Sequence, residues 1–255
     1  MKPASTAVSI GLGLLVMLVC VWFYWPGTSG PSLLDDGVNL RPLDNLEDNR
    51  EFLVDVVQSN YSGPLGRPLS MLVFSLEKLY IDAGVSGTKR FNLAVHLLMG
   101  LLVWAFSRDV LRYLQYQQAA RLALLVAALW ILAPLFVSTV LYTIQRMAQL
   151  SALLSLLAVW AYLRARISAG NSCWGWGLLS LGALLAAPFA KENGLLALPL
   201  IMFPEWALLG YRGRAAALVG RSHAALIALG VVAVVGVLLW RPEVVLGGYG
   251  ADTRA

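Results

Sequence analysis

Residues 6–25 form a run of twenty without a single charge. A helix rises about 1.5 Å per residue, so such a run covers the roughly 30 Å hydrocarbon core of a bilayer. It ends in Trp22-Phe23-Tyr24-Trp25, the aromatic pattern of a membrane–water interface. A cleaved leader has a shorter apolar core and a small-residue cleavage site, so this run reads as an uncleaved signal anchor. Length and charge exclusion place further spans at about residues 91–107, 122–140, 147–163, 174–190, 194–209 and 223–240. Only helices and closed barrels satisfy their backbone polar groups in lipid. The expectation is therefore an all-α membrane protein of about seven transmembrane helices. Composition agrees: the chain is 59% hydrophobic and 13% charged, with mean hydropathy +0.71, whereas a soluble domain is about a quarter charged.

Orientation follows from Lys and Arg in short loops. Arg108, Arg112 and Arg121 lie between spans two and three. Arg164 and Arg166 follow span four, Arg212, Arg214 and Arg221 follow span six, and Lys2 precedes span one. All fall on one side, which reads as the cytoplasm of a cell with the chain in its inner (cytoplasmic) membrane. The N-terminus is then cytoplasmic, and the long 26–90 loop is outside, or periplasmic. That loop carries nine Asp/Glu against six Lys/Arg. The net charge of +5 is thus a topology signal. No basic run or basic–aromatic alternation marks a nucleic-acid surface.

Residues 1–255 read as a single multi-pass domain: an outer loop at 26–90 and a helical bundle at 91–240, ending at Ala255 as if truncated. Cys20 lies in the first span and Cys173 just before the fifth, on opposite faces and beyond the about 7 Å Cα limit for a disulfide. Neither has metal-ligand spacing.

The outer loop is too long for a simple connection. Two amphipathic patterns, 46–58 and 68–83, predict helices lying in the membrane interface. In the second, Leu69, Leu72, Val73, Leu76, Tyr80 and Ala83 share a stripe, with Glu77, Lys78 and Asp82 away from it. Gly63, Pro64 and Gly66 mark the turn between the two.

Polar groups near membrane depth cluster on the outer side. Asp35-Asp36 and Arg67 lie in the loop; Asn92 and His96 start span two; Tyr142, Gln145 and Arg146 join spans three and four; Lys191-Glu192-Asn193 join spans five and six. Each has a plain alternative. Asp35-Asp36 can be a solvated turn before Gly37. His96 can be an interhelical hydrogen-bond partner. Arg146 can snorkel, and Lys191-Glu192 can close a hairpin. Together they suit an anionic lipid phosphate held by cations beside a carboxylate base. A transporter or flippase needs polar groups deep in its spans and broken helices on both sides, which counts against that reading.

Taken in order, five segments resemble the multi-pass glycosyltransferases of the GT-C fold, in particular the membrane part of the transmembrane/tetratricopeptide-repeat O-mannosyltransferase-like family. They are Asp35-Asp36, Arg67-Pro68-Leu69-Ser70, Phe91-Asn92-Leu93-Ala94-Val95-His96, Tyr142-Thr143-Ile144-Gln145-Arg146-Met147, and Lys191-Glu192-Asn193-Gly194 with Pro199. The resemblance implies a donor sugar on a polyprenyl phosphate and a hydroxyl acceptor on a protein or glycan. Asp35 or Asp36 would be the base. Arg67, Arg146 and Lys191 would bind phosphate, supported by Asn92, His96, Tyr142, Gln145 and Glu192. No cofactor is firmly implied, though the paired Asp35-Asp36 can hold a divalent cation. Many relatives have His-Pro and then Glu where this chain has Ala133-Pro134 and Ser138. That departure motivates the alternative of a non-catalytic membrane assembly or interaction module.

Overall fold

A computed structural model of the chain describes residues 3–46, 53–58, 65–81, 84–212 and 216–240. Those residues are helical, with turns between and no strand among them. They divide into two compact units, 1–197 and 198–255.

In the first unit α1 (Pro3–Tyr24) runs into a 3-10 turn, Trp25–Ser29. Two short helices follow, α2 (Asp36–Leu40) and α3 (Leu53–Gln58), and then α4 (Pro68–Tyr80). The long helices are α5 (Gly84–Tyr113), α6 (Ala119–Ile131), α8 (Arg146–Ile167) and α9 (Ser172–Ala190), with short α7 (Val137–Leu141) between α6 and α8. Four stretches are long and apolar enough to cross a membrane: Ala7–Ser29, Gly84–Tyr113, Thr143–Ile167 and Ser172–Ala190. A fifth arises if Ala119–Ile131 and Pro134–Leu141, bent by 46°, count as one span. The bend has a local cause. Pro134 offers no N–H, and Ala133 before it is extended at φ −65°, ψ 126°, as a residue preceding proline prefers.

Small residues set how closely the helices approach. A Cβ on Gly100 of α5 would meet Ile131 Cδ1 of α6 at 2.6 Å. Buried Ala158 and Ala161 of α8 and Ser180, Ala183 and Ala187 of α9 are likewise small, and Ser180 Oγ donates to Ala158 O at 2.9 Å. At 30 residues, α5 is about 45 Å long and overhangs the bilayer. Its far end is tied by buried Asp109, which accepts from Trp160 Nε1 and Arg164 of α8.

Two apolar clusters hold the unit together. Cys20, Tyr24, Leu93, Ile131 and Val140 join α1, α5, α6 and α7. Leu43, Leu46, Val56, Met71, Phe74, Ile144 and Met147 join the loop to the start of α8. The loop is therefore docked on residues 142–147.

The loop helices follow the expectation only in part. Residues 47–52 of the first pattern lie outside the described residues, and only 53–58 are helical. Helix α4 forms, but the face it buries is Ser70, Met71, Phe74, Ser75 and Glu77. Of the apolar stripe, Leu69, Leu72 and Val73 are half-buried and Leu76 and Tyr80 exposed; Ala83 lies outside the described residues. The physical reason is a buried counter-ion: Glu77 turns in because Arg146 awaits it. The apolar stripe is the one a membrane interface would cover.

The sixth expected span is not one helix. Glu192–Leu196 is a 3-10 turn and α10 is only Ala197–Leu200. In the first unit a Cβ on Gly194 would sit 2.2 Å from the backbone of Ala187. In the second unit Pro199 and Pro204 remove N–H donors, Glu205–Leu209 is a π-turn, and Gly210 closes it at φ +60°. There α11 (Ala216–Trp240) is apolar, and Tyr211 Oη meets His223 Nδ1 at 3.3 Å.

Candidate functional site

The site is built on the segment 142–147, where α7 gives way to α8. Buried Asn92 donates from Nδ2 to Tyr142 O and Thr143 O, both at 3.2 Å. Its Oδ1 accepts from Arg146 Nε at 2.8 Å. The backbone gives these carbonyls only tight i→i+3 bonds, from Gln145 N to Tyr142 O and from Arg146 N to Thr143 O, and one asparagine from α5 adds a second donor to both.

Arg146 is fully buried. Nη2 donates to Thr88 O at 2.8 Å, and Nη1 pairs with Glu77. The guanidinium lies between the rings of Phe74 and Phe91, 4.4 and 4.2 Å from their centroids. All three nitrogens are engaged inside the protein. Its geometry is that of a bracket joining α4, α5 and α8.

The two adjacent carboxylates have opposite environments. Asp36 is 2% exposed. Its Oδ2 accepts from Leu33 N at 2.9 Å and its Oδ1 from Ile144 N at 2.8 Å. It staples the turn to the 142–147 segment. Asp35 is exposed. Its N–H donates to Tyr142 Oη at 2.9 Å, and its carbonyl accepts from Asn39 Nδ2 at 3.0 Å. No hydrogen bond to its carboxylate is found among the described residues. Buried Lys89 anchors the approach to this turn, donating to Gly30 O at 3.0 Å and Pro31 O at 2.7 Å.

The third part is Arg67, Lys191 and Glu192. Arg67 Nε lies 3.1 Å from both Glu192 oxygens, and Nη2 is 3.1 Å from Oε2. Nη1 touches Met147 Sδ at 3.6 Å. Ser70 Oγ donates to Ala190 O at 2.8 Å and Ser151 Oγ to Lys191 O at 3.3 Å, seating α4 and α8 against the end of α9. Burial makes the Lys191 ammonium easier to deprotonate than an ordinary lysine; nearby Arg67 adds to this and Glu192 opposes it. For Glu192, burial pushes the carboxyl upward, but the Arg67 hydrogen bond and charge outweigh it, leaving a net shift downward.

Two non-glycine residues adopt left-handed backbone here: Leu34 at φ +37° and Arg67 at φ +49°. Each costs about 1–2 kcal/mol. One precedes Asp35 and the other is the cation itself, and such strain concentrates where side chains are held for a purpose.

Tyr142 and Ile144 contact the acid pair, and Met147 contacts Arg67. Ile144 and Met147 are three positions apart, about one helical turn. The acid pair and the Arg67–Lys191–Glu192 group thus meet the same end of α8. Gln145 is half-buried in the turn between them and Asn193 is exposed.

His96 stands apart. The break at Pro134 interrupts the helical hydrogen-bond ladder near Ile131. Ile131 O instead meets His96 Nε2 at 2.9 Å and Cys20 Sγ at 3.7 Å. A carbonyl only accepts, so Nε2 carries the proton. The ring packs among Tyr24, Trp130 and Phe136. This is a tie between spans.

Both Asp36 oxygens already accept one backbone N–H group each. Among the described residues there is no group of three or more His, Cys, Asp or Glu able to hold a metal. The sequence reading missed Glu77, Lys89, Thr88 and Met147. Two of these act through groups that carry no residue signal, a backbone carbonyl and a thioether. Glu77 sat on the face expected to be solvated. No family model matches the chain, and no curated protein or solved structure matches it.

Proposed function

We propose that the chain is a membrane glycosyltransferase of GT-C type. It would move a sugar from a polyprenyl-phosphate donor to a hydroxyl of a protein or glycan acceptor at the outer, periplasmic face of the cytoplasmic membrane. The observation that carries this reading is the contrast within the acid pair: Asp36 is consumed in fixing the turn, while Asp35 is exposed and the half-buried ammonium–guanidinium–carboxylate group meets the same end of α8. The alternation of ends supports a common outer face. The segments following α1, α7 and α9 meet at one end of α8, and Asp109 joins α5 to the other end.

Asp35 is the base in this scheme. It takes the proton of the acceptor hydroxyl as that oxygen bonds to the anomeric carbon. The bond from that carbon to the phosphate oxygen breaks, and the lipid phosphate leaves with the electron pair. Lys191 and Arg67 receive its charge. An arriving phosphate opposes the burial that disfavours the Lys191 charge. Glu192 aligns the Arg67 fork. Arg146, first read as a phosphate ligand, is instead assigned to holding Asn92 and Glu77. The two crossings beyond α9 that make seven belong to this proposal.

The test is transfer from radiolabelled polyprenyl-phosphate mannose by the full chain in liposomes, with a cell-extract protein acceptor. Asp35→Asn should lower transfer by about 10²–10⁴-fold while insertion and thermal stability stay unchanged. Full transfer by that variant removes the base assignment. The commitment of Arg146 to Glu77 also suits a non-catalytic assembly module. That reading predicts no transfer by the wild type and a normal cellular phenotype with Asp35→Ala.

A further inference from the structure

A second site lies at the opposite end of the first unit. Helices α1, α5 and α6 do not close on one another there. They leave a cavity of about 600 Å³, within the range of ligand pockets of about 300–1,000 Å³. Its walls are nearly all apolar, with Gly13, Leu14 and Leu124 among them, and Ile131 at one end. Arg108 and Arg112 stand at the other end.

Length, charge and an orphaned donor identify the occupant. From Gly100 to Arg112 is twelve residues along α5, about 18 Å. One leaflet of hydrocarbon is about 15 Å, half of the roughly 30 Å core. The groove therefore suits a chain entering from one leaflet. Ile131 also belongs to the packed cluster of Cys20, Tyr24, Leu93 and Val140, which separates the groove from the acid pair. Arg108 stacks on Trp104 at 4.7 Å and gives Nη2 to Asp109 Oδ1 at 3.3 Å. Its Nε is buried and has no hydrogen-bond partner. Arg164 shares the same Asp109 carboxylate. Two guanidiniums, those of Arg108 and Arg164, thus share one carboxylate, Arg112 adds a third cation at this end of the groove, and an anion would complete the balance.

We propose that this groove holds an anionic phospholipid of the cytoplasmic leaflet, one acyl chain between α1, α5 and α6 and its phosphate at Arg108 and Arg112. The site is separate from the proposed donor site and does not depend on it. Its structural effect is to join loosely packed α1 to the bundle.

The experiment compares retention of spin-labelled phosphatidylglycerol and phosphatidylcholine, of identical acyl chains, by the full chain in nanodiscs. Phosphatidylglycerol should be retained preferentially. A basic group near the membrane surface contributes about 1 kcal/mol, which is about fivefold, so Arg112→Gln should cut the preference by about that factor. Gly13→Leu, which fills the groove, should release both lipids. Arg166→Gln, on the same face but outside the groove, should leave the preference intact. Equal retention of the two lipids overturns the proposal. So does an equal loss from Arg166→Gln, which would mean diffuse surface charge. Displacement by soluble glycerol phosphate alone would mean a phosphate site without a lipid, and likewise overturns it.

Discussion

Glu77 and Arg146 are the sharpest place to test how the outer loop is held. Both are buried, Arg146 completely. Removing one partner of a buried pair leaves an uncompensated charge, which costs about 3–5 kcal/mol. Glu77→Gln keeps a carbonyl for Nη1 but strands the charge, so it should fall at the lower end, about 3 kcal/mol. Arg146→Met strands Glu77 and also takes donors from Asn92 Oδ1 and Thr88 O. Each orphaned acceptor adds about 1–3 kcal/mol, so this variant should lose about 5 kcal/mol or more. The double variant Glu77→Leu with Arg146→Met has no stranded charge. Its apolar side chains can lie between Phe74 and Phe91 as the guanidinium did. Only the two orphaned acceptors remain, about 2–6 kcal/mol. The double-mutant cycle should therefore show a coupling of several kcal/mol. The assay is reversible unfolding in mixed micelles by SDS titration, following intrinsic tryptophan fluorescence. Additive effects, with the double variant as unstable as the sum of the singles, would refute the reasoning.

Three further outcomes follow from the same geometry. Asp36→Asn keeps one acceptor of two and should lose about 1.5–3 kcal/mol, the range for a hydrogen bond to a charged group, whereas Asp35→Asn should stay within about 0.5 kcal/mol of wild type; thermal denaturation in detergent distinguishes them. Gly194→Ala places a Cβ 2.2 Å from the Ala187 backbone, and forced overpacking costs about 1–3 kcal/mol, read as a lowered melting temperature. Glu192 has a folded-state acidity greater than an ordinary Glu, so its pairing stabilises the fold above the unfolded value of about 4.3 and is lost as pH falls through the lower folded value. A stability profile from pH 3 to 6 should therefore slope less in Glu192→Gln, and an unchanged slope would remove the Arg67 pairing as its cause.

The broad class of this protein was legible in its letters. Charge-free runs of bilayer length leave helix as the only economical solution, and four such helices, with a bent fifth, stand close to where the runs lie. Periodicity also located α4 within three residues. It could not say which face would be buried. A stripe of Leu, Val and Tyr suits a membrane interface, but that Glu77 on the other face would be buried was decided by an ion pair with a residue 69 positions away. The same limit applied to 194–209. Its hydropathy suits a span, but a glycine pressed on backbone and two prolines divide it.

Sequence alone also named the polar groups that crowd one end of the bundle, because each is costly near lipid and so stands out from its surroundings. It could not assign their work. Asp35 and Asp36 are identical and adjacent, and which of them is exposed depends on where the Ile144 N–H lies. Arg146 and Arg67 are both lone arginines beside a span, and only packing encloses one and leaves the other half-buried. Composition and periodicity are local properties, readable within a few turns. Burial and pairing depend on residues dozens of positions apart meeting in space, and that meeting exists only once the helices have packed.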